Sequence, residues 1–209
     1  MKVLIADDHA VVRRGLKDIL ADEFETLLVG EAQNAQDILR LVREQDWDVV
    51  VLDISMPGRS GLEVLKDLKQ VVPQTPVLIL TTHAEELYAI RGLKAGAAGY
   101  MTKESAPEHL IEAVRKVTRG GRYISPALAE ILAASILSDN EKAPHESLSD
   151  REHQVLCRIA SGKTVGQIAD ELALSVTTIS TYRARVLEKM RMKTNAELTH
   201  YAIRNKLVC

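Results

Sequence analysis

Cysteine, aromatic side chains and long apolar runs are all scarce in this chain, and each scarcity excludes a class of protein. Its two cysteines, Cys157 and Cys209, are too few for a disulfide framework or a cysteine-rich zinc cluster. No apolar run approaches the roughly 18 residues of a membrane span. The start of the chain meets two acids after a short apolar stretch, which does not fit a secretory signal. We therefore expect a cytoplasmic protein that has free thiols and does not bind a membrane.

Charge is distributed unevenly along the 209 residues, although the formal net charge is only -2. Residues 1–124 have a net charge of -3, residues 125–147 another -3, and residues 148–209 have +4. The last segment is therefore the one suited to contact a polyanion such as a nucleic acid.

The first 120 or so residues alternate between short apolar strands and amphipathic helices. Strand patterns occur in KVLIA, ETLLVGEA, DVVVLD, TPVLILTT and AGYMTK. A helical spacing of apolar residues follows each strand, in AVVRRGLKDILADE, AQDILRLVREQ, GLEVLKDLKQVV, AEELYAIRGLKAG and PEHLIEAVRKVTRGG. Because aromatic residues make up only 3%, the strands are mainly aliphatic. This pattern predicts an α/β fold, in which a doubly wound, five-stranded parallel sheet is covered by helices on both faces.

Polar side chains stand at the carboxyl ends of four of these strands. Asp7 and Asp8 follow the first strand, and Asp53 ends the third. Thr81 ends the fourth strand and Lys103 the fifth. Ligands of open parallel sheets bind outside the carboxyl ends of the strands. If the strand order is 2-1-3-4-5, strands 1, 3, 4 and 5 are neighbours and these side chains converge at one edge of the sheet.

Three carboxylates packed this closely repel one another unless a cation neutralises them. Oxygen ligands with room for water suit Mg²⁺, so the sequence predicts a magnesium site. Asp53, placed between the metal and Lys103, is suited to attack a phosphoryl donor as a nucleophile. Thr81 can then hydrogen-bond to the new phosphoryl oxygens.

The remainder of the chain has helical patterns only. RYISPALAEILAASIL has the spacing of one more helix, and the polar, acidic residues 138–146 are typical of a linker. Four short helices are predicted after it, in LSDREHQVLCRIASG, TVGQIADELAL, SVTTISTYRARVLEKMRM and TNAELTHYAIRNKLV. We predict domains at residues 1–122 and 147–209, joined by a linker at 123–146 that includes the extra helix.

Residues 2–121 resemble the receiver domain of bacterial two-component response regulators, through the segments LIADDH, VVVLDISMPG, LTTH and GAAGYMTK. The resemblance implies a flavodoxin-like fold and a sensor histidine kinase as the phosphoryl donor. It implies no turnover of an external substrate, only the domain's own phosphorylation and dephosphorylation. By the resemblance, Asp53 is the phosphoacceptor, assisted by Thr81 and Lys103. The resemblance assigns metal binding to Asp7, Asp8, Asp53 and the backbone carbonyl of Ser55. It assigns the conformational switch to Thr81 and Tyr100, and it implies that Ser55 and His83 tune the lifetime of the phosphoryl group.

Residues 147–209 resemble the four-helix, LuxR-type helix-turn-helix module of the NarL/FixJ regulators, through LSDRE, IASGKTVGQIADEL and LSVTTISTYRARVLEKM. Local signals agree, because Gly162 can end one helix and Ser175 can cap the next but one. One stripe of the third helix is apolar and should pack on the domain, namely Ile179, Tyr182, Val186 and Met190.

The opposite face of this helix is expected to enter the major groove of double-stranded DNA. The predicted contacts are Thr177, Ser180, Thr181, Ala184, Arg185 and Lys189. Two features depart from the family pattern. Val165 and Gly166 stand where a polar pair is common, and short side chains stand where lysines often face the bases. Because short hydroxyls read bases permissively, the operator sequence cannot be inferred.

Together these patterns predict a phosphorylation-dependent transcriptional regulator that forms a homodimer when phosphorylated. Two alternatives stay open. An aspartate-nucleophile phosphatase also places Asp at a strand end beside Mg²⁺, but such enzymes use Asp-x-Asp, and Ser55 occupies the second position. A constitutive DNA binder could use a receiver only for dimerisation, which the intact site disfavours. The sequence identifies neither the kinase, the stimulus, the target genes nor the sign of regulation.

Overall fold

The computed structural model of the chain describes residues 1–56, 59–82, 85–137, 143–205 and 207. Internal contacts divide the chain into two units, Met1–Leu132 and Ala133–Cys209. This division falls inside the predicted linker, and the finer domain boundaries stay a prediction. His83, Cys209 and residues 138–142 of the linker lie outside the described residues.

The first unit contains a five-stranded parallel sheet with the order β2-β1-β3-β4-β5. The strands are β1 (Lys2–Ala6), β2 (Leu28–Ala32), β3 (Val49–Asp53), β4 (Val77–Thr81) and β5 (Gly99–Thr102). Every residue of β3 and β4 is buried, as expected for central strands that helices cover on both faces. The predicted fold class and strand order are therefore confirmed.

Five helices of the described chain accompany this sheet: α1 (Ala10–Glu23), α2 (Ala35–Glu44), α3 (Gly61–Val71), α4 (Glu85–Lys94) and α5 (Ala106–Thr118). A further helix, α6 (Pro126–Leu137), contains the division between the two units. One core cluster joins α1 and α5 to alternate strand residues, such as Val51 and Leu80. Alternation arises because successive strand side chains point to opposite faces. Each fully buried Leu, Ile or Val contributes roughly 1.5–3 kcal/mol, which holds the strand ends in fixed register.

Gly61 allows α3 to begin directly against the loop that follows β3. A Cβ atom at this position would lie 2.3 Å from the Cα of Ile54 and 2.8 Å from the carbonyl oxygen of Asp53. A larger residue would push the helix and the loop apart, because backbone atoms cannot yield as a flexible side chain does. Gly61 therefore fixes the position of the backbone next to Asp53.

The second unit contains a short 3₁₀ helix at Pro144–Ser147 and four α-helices. These are α7 (Asp150–Ala160), α8 (Val165–Leu172), α9 (Val176–Lys189) and α10 (Asn195–Arg204). Each begins after a residue whose hydroxyl accepts a hydrogen bond from the backbone N–H three positions on, namely Ser149, Thr164, Ser175 and Thr194. Such a cap is worth about 1 kcal/mol. The predicted cap at Ser175 is confirmed, and Gly162, just beyond α7, has the positive φ of 81° that favours glycine.

None of the helices in the described ranges combines the length and the apolar character needed to cross a lipid bilayer.

Candidate functional site

The carboxyl edge of the sheet brings together the polar residues that the sequence singles out. Asp7 directly follows β1, Asp53 is the last residue of β3, and Thr81 is the last residue of β4. Lys103 follows β5, and its backbone N–H donates to the carbonyl of Thr81 at 2.7 Å. Because β1, β3, β4 and β5 are consecutive neighbours in the sheet, residues far apart in the chain meet at one pocket.

Lys103 links two of the three acids. Its Nζ lies 2.7 Å from Oδ2 of Asp53 and 2.6 Å from Oδ2 of Asp7. Both carboxylates belong to buried residues, each with an exposed fraction of 1%. The other oxygen of Asp53, Oδ1, accepts a hydrogen bond from the backbone N–H of Ser55 at 2.8 Å. The Asp53 carboxylate is thus held at both oxygens, in a fixed orientation at the end of its strand.

Burial and charge act against each other on this pair. Burial raises the pKa of Asp53, and the hydrogen bonds from Lys103 and Ser55 offset this rise only in part. Burial alone would lower the pKa of Lys103, but the carboxylates of Asp53 and Asp7 outweigh it and raise that pKa above its ordinary value. Lys103 is therefore a permanent cation, whereas ionised Asp53 carries a cost that a further positive charge would relieve.

The acids around Lys103 fit a divalent cation. Oδ2 of Asp7 and Oδ1 of Asp8 are buried oxygens that accept no hydrogen bond from the described residues, although Lys103 lies close to the first. One ligand atom from each of Asp7, Asp8, His9 and Asp53 can be chosen so that all four lie within 4.8 Å of one another. One ammonium cannot neutralise three carboxylates, and hard carboxylate oxygens are the ligands that Mg²⁺ takes.

The remaining predicted residues of the receiver site lie on β4, on β5 and just after β3. Thr81 is fully buried, and its Oγ1 lies 3.4 Å from Oγ of Ser55. Tyr100 is also fully buried, and it pairs in register with Ile79 on β4. The metal role of the Ser55 carbonyl and the switch roles of Thr81 and Tyr100 stay predictions, and His83 lies outside the described residues.

Arg13 is a site residue that the sequence analysis missed. Its guanidinium is buried, and NH1 donates to the backbone carbonyl of Asp7 at 2.8 Å while Nε donates to Glu31 at 2.9 Å. A signal existed, because Arg13, Leu16 and Leu20 are the buried residues of α1 and recur at helical spacing. An arginine on the buried stripe of an amphipathic helix needs a polar partner, and here that partner is the loop that carries Asp7.

In the second unit, α9 has one apolar face that is largely buried and an opposite face that is exposed. Ile179, Val186 and Met190 are buried, and Tyr182 is half-buried, as the helical pattern predicts. The six residues predicted to contact DNA are all exposed, namely Thr177, Ser180, Thr181, Ala184, Arg185 and Lys189. The side chains of two of these residues make hydrogen bonds within this unit. Thr181 Oγ1 donates to the carbonyl of Thr177 at 3.0 Å, and Lys189 Nζ lies 2.6 Å from the carboxylate of Glu152.

Glu152 is the second residue that the sequence analysis missed. It is 3% exposed, and its carboxylate also accepts the backbone N–H of Ser149 at 2.8 Å. Burial would raise the pKa of Glu152, but the bonds from Lys189 and Ser149 outweigh burial and lower it. Lys189 is therefore a partly neutralised cation, whereas Arg185 has no hydrogen bond or ion pair with any described residue.

Each of the two parts of the chain matches a known protein family. Residues 3–115 match the response regulator receiver domain, and residues 146–202 match the bacterial regulatory proteins of the luxR family. The two matched segments coincide with the α/β unit that carries Asp53 and with the helical unit that carries α9.

Two curated relatives match along almost the whole chain. Response regulator GacA of Pseudomonas aeruginosa is 41% identical over 209 residues, which cover 100% of this chain and 98% of that protein. Response regulator UvrY of Escherichia coli K12 is 38% identical over 208 residues, which cover 99% of this chain and 95% of that protein. Among solved structures, RcsB of Salmonella enterica serovar Typhimurium, bound to promoter rprA in the presence of phosphomimetic BeF3-, is similar with a TM-score of 0.65. It is 27% identical, and the similarity covers 96% of this chain and 98% of that one.

Proposed function

The chain belongs to the two-component response regulators of the NarL/FixJ family, with a receiver domain and a LuxR-type DNA-binding domain, and from this premise we propose that phosphorylation of Asp53 controls its output. A single observation carries the assignment to Asp53. This carboxylate ends β3 beside Lys103 and Asp7, and it is oriented by hydrogen bonds at both of its oxygens. The donor is a sensor histidine kinase, and both that partner and DNA meet the protein in the cytoplasm.

In the proposed reaction, an oxygen of Asp53 attacks the phosphorus of the donor. An oxygen–phosphorus bond forms while the nitrogen–phosphorus bond to the histidine of the kinase breaks, and the electron pair stays on that imidazole. Lys103 holds positive charge beside the attacking carboxylate and then pairs with a phosphoryl oxygen. The hydroxyl of Thr81 then donates a hydrogen bond to a second phosphoryl oxygen. The protein thus supplies orientation and charge rather than a proton shuttle.

Asp7, Asp8, Asp53 and the carbonyl of Ser55 are the proposed holders of Mg²⁺. The supporting observation is that ligand atoms of Asp7, Asp8 and Asp53 lie within 4.8 Å of one another, with one ammonium, that of Lys103, in contact with Asp7 and Asp53. When bound, the cation neutralises negative charge on the carboxylates and on the phosphoryl oxygens. Lys103 alone leaves an excess of negative charge in the pocket, so these residues favour the binding of a divalent cation.

Signal transmission is proposed to run from Thr81 to Tyr100. Both side chains are fully buried, on the adjacent strands β4 and β5. A hydroxyl that moves to meet the phosphoryl group leaves space that the buried tyrosine can enter or vacate. Phosphorylation then shifts an existing equilibrium between two packings rather than creating a new fold. The DNA-binding domain acts as a homodimer in the favoured state, with α9 of each copy in the major groove.

An acetyl phosphate experiment tests this proposal. Intact-mass spectrometry with Mg²⁺ should show one phosphoryl group on the wild-type chain and none on Asp53→Asn. Asp46→Asn is the matched control, because Asp46 is exposed and precedes β3, whose other end carries Asp53. A phosphorylated Asp53→Asn variant would refute the assignment.

The same samples serve for a gel-shift on a target promoter. Acetyl phosphate should strengthen DNA binding of the wild type and of Asp46→Asn, but not of Asp53→Asn. Binding that is equally tight with and without phosphorylation would favour a constitutive DNA binder instead. Turnover of a phosphomonoester substrate would favour the phosphatase.

A further inference from the structure

His9 lies against the acidic pocket as a fourth potential ligand. Its Nδ1 is 2.9 Å from Oδ1 of Asp8 and 3.2 Å from Oδ1 of Asp7. The backbone N–H of His9 donates a hydrogen bond to Oδ1 of Asp7 at 2.8 Å, which holds the backbone of His9 beside the acidic pocket. The proposed function uses the carboxylates here but gives the imidazole no role.

The position of His9 is set by the fold rather than by its own side chain. It is the residue before α1, with an extended backbone at φ -88° and ψ 111°. This is the position where a side chain commonly caps the helix, yet the His9 side chain makes no capping hydrogen bond. The ring instead faces the carboxylates, although 64% of the side chain is exposed and solvent offers it other partners.

The distances allow one cation to reach all four side chains. Ligand atoms about 2.1 Å from an ion can be at most about 4.2 Å apart. The chosen atoms of Asp7, Asp8, His9 and Asp53 already lie within 4.8 Å of one another, so they would have to move closer together to bind one ion, by rotation of the side chains. Oδ1 of Asp8, the oxygen nearest to the ring, accepts no hydrogen bond from the described residues.

We infer that His9 supplies a nitrogen ligand to the divalent-cation site and shifts its preference from Mg²⁺ towards transition ions that bind imidazole. The inference rests on the proposed function, in which Asp7, Asp8 and Asp53 hold the cation. Oxygen-only sites suit Mg²⁺, whereas an imidazole adds affinity for ions such as Mn²⁺ and, more strongly, Ni²⁺. The neutral ring binds through Nδ1 with its hydrogen on Nε2, a tautomer reached by exchange of a proton with water.

Pulsed electron paramagnetic resonance of bound Mn²⁺ gives a direct readout. The full-length wild type should show hyperfine coupling to a bound nitrogen, which isotope-labelled histidine would assign. The coupling should vanish in His9→Asn and in His9→Phe and persist in His109→Asn, a variant of a half-buried histidine on α5. Asparagine is a favourable residue before a helix, so His9→Asn should fold, and circular dichroism checks this.

Calorimetric titration with Mg²⁺ and Ni²⁺ gives the second readout. His9→Asn should lower the ratio of Ni²⁺ to Mg²⁺ affinity by about tenfold or more, because it replaces a nitrogen by an amide oxygen. One outcome would overturn the role of His9 alone. In that outcome the wild type binds Mg²⁺ and is phosphorylated, but it shows no nitrogen coupling, and His9→Asn has the same ratio of Ni²⁺ to Mg²⁺ affinity as the wild type. Folded wild-type protein that binds no divalent cation in the pocket would overturn the metal part of the proposed function as well.

Discussion

Arg13 connects the core of the fold to the phosphorylation pocket at the scale of one residue. A buried guanidinium is costly unless it is paired, and this one is paired on both sides, with the Asp7 carbonyl and with Glu31. It thereby fixes the backbone of the loop on which Asp7 and Asp8 stand. The carboxylates repel one another, so without such a tie the loop would relax away from Asp53.

Replacing Arg13 should therefore affect both stability and cation binding. We expect Arg13→Met to lower the free energy of unfolding by about 1–3 kcal/mol, because it leaves the buried carbonyl of Asp7 without a donor. Mg²⁺ affinity, measured by calorimetry on folded protein, should fall too. Arg13→Lys keeps the charge but lacks the rigid, planar fork that spans both partners, so it should be intermediate. Arg14→Met, on the exposed side of the same helix, is the control and should change neither quantity.

Residues such as Arg13 and Glu152 mark the limit of what the sequence could predict at this scale. Asp7, Asp53, Thr81 and Lys103 were found because each follows or ends an apolar strand, a purely local signal. The partners of Arg13 lie 6 and 18 positions away along the chain, and Lys189, which pairs with Glu152, lies 37 positions away. Periodicity shows that a polar residue is on a buried face, but only the packing of elements shows which group it meets.

At the scale of elements, the buried residues of α9 determine which face of this helix is turned outward. Its buried stripe turns Thr181 outward, and Arg185 lies on the same exposed face, without a partner among the described residues. Because the Thr181 hydroxyl donates to the Thr177 carbonyl, it remains free to accept a hydrogen bond from a base. Its methyl group can contact a thymine methyl.

Thr181→Ala and Arg185→Ala should thus fail differently. Thr181→Ala should reduce discrimination between operator and scrambled DNA by roughly 1–3 kcal/mol and leave the salt dependence almost unchanged. Arg185→Ala should weaken binding to both duplexes alike and reduce the slope of log K against log salt by about one. Titrations at several salt concentrations measure both effects. The reverse pattern would show that α9 enters the groove with a different face.

The contact between Glu152 and Lys189 ties α9 to α7 and should depend on pH. The folded-state pKa of Glu152 lies below its ordinary value of 4.5, so ionised Glu152 stabilises the fold above that pH. This stabilisation is lost as the pH falls through the lowered folded-state pKa. Glu152→Gln should therefore be less stable than wild type at neutral pH, and the difference should shrink below about pH 4.5.

Calorimetric unfolding of the full chain across this pH range is the measurement. Glu188→Gln, an exposed acid on α9, is the control and should show no such pH-dependent difference. A gap between wild type and Glu152→Gln that persists unchanged into acid would mean that the charge of Glu152 does not hold the two helices together.

Lys189 should also contribute less than Arg185 to salt-dependent DNA binding, because it must exchange Glu152 for a phosphate.

The elements themselves were largely predictable. The apolar runs of β1 and β3 and the spacing of α1 match the structure to within a residue, because burial on both faces leaves few alternatives. β2 was predicted too long: the strand is Leu28–Ala32, three residues shorter at its start than the apolar pattern. It lies at the edge of the sheet, where fewer neighbours constrain its length.

At the scale of the whole molecule, the charge asymmetry and the small DNA-binding domain point to the same requirement. Residues 148–209 carry +4, and the rest of the chain carries the opposite sign. The acidic part contributes nothing favourable to contact with phosphates, so DNA affinity has to come from the basic domain. A single module of this size buries roughly 600–1,000 Å² of its surface on DNA, which is modest for tight specific binding.

We therefore expect DNA binding to require two copies of the chain. Linking two modules makes the second contact intramolecular, which raises affinity without any new type of contact, and a two-fold operator matches a symmetric dimer. Analytical ultracentrifugation should find two chains per operator duplex for the phosphorylated wild type, whereas Asp53→Asn under the same conditions should stay monomeric. An operator with one half-site scrambled should lose most of the affinity. If phosphorylated protein bound the intact operator as a monomer, and the half-site duplex equally well, phosphorylation would have to act within one chain, by changing how its own α9 meets DNA.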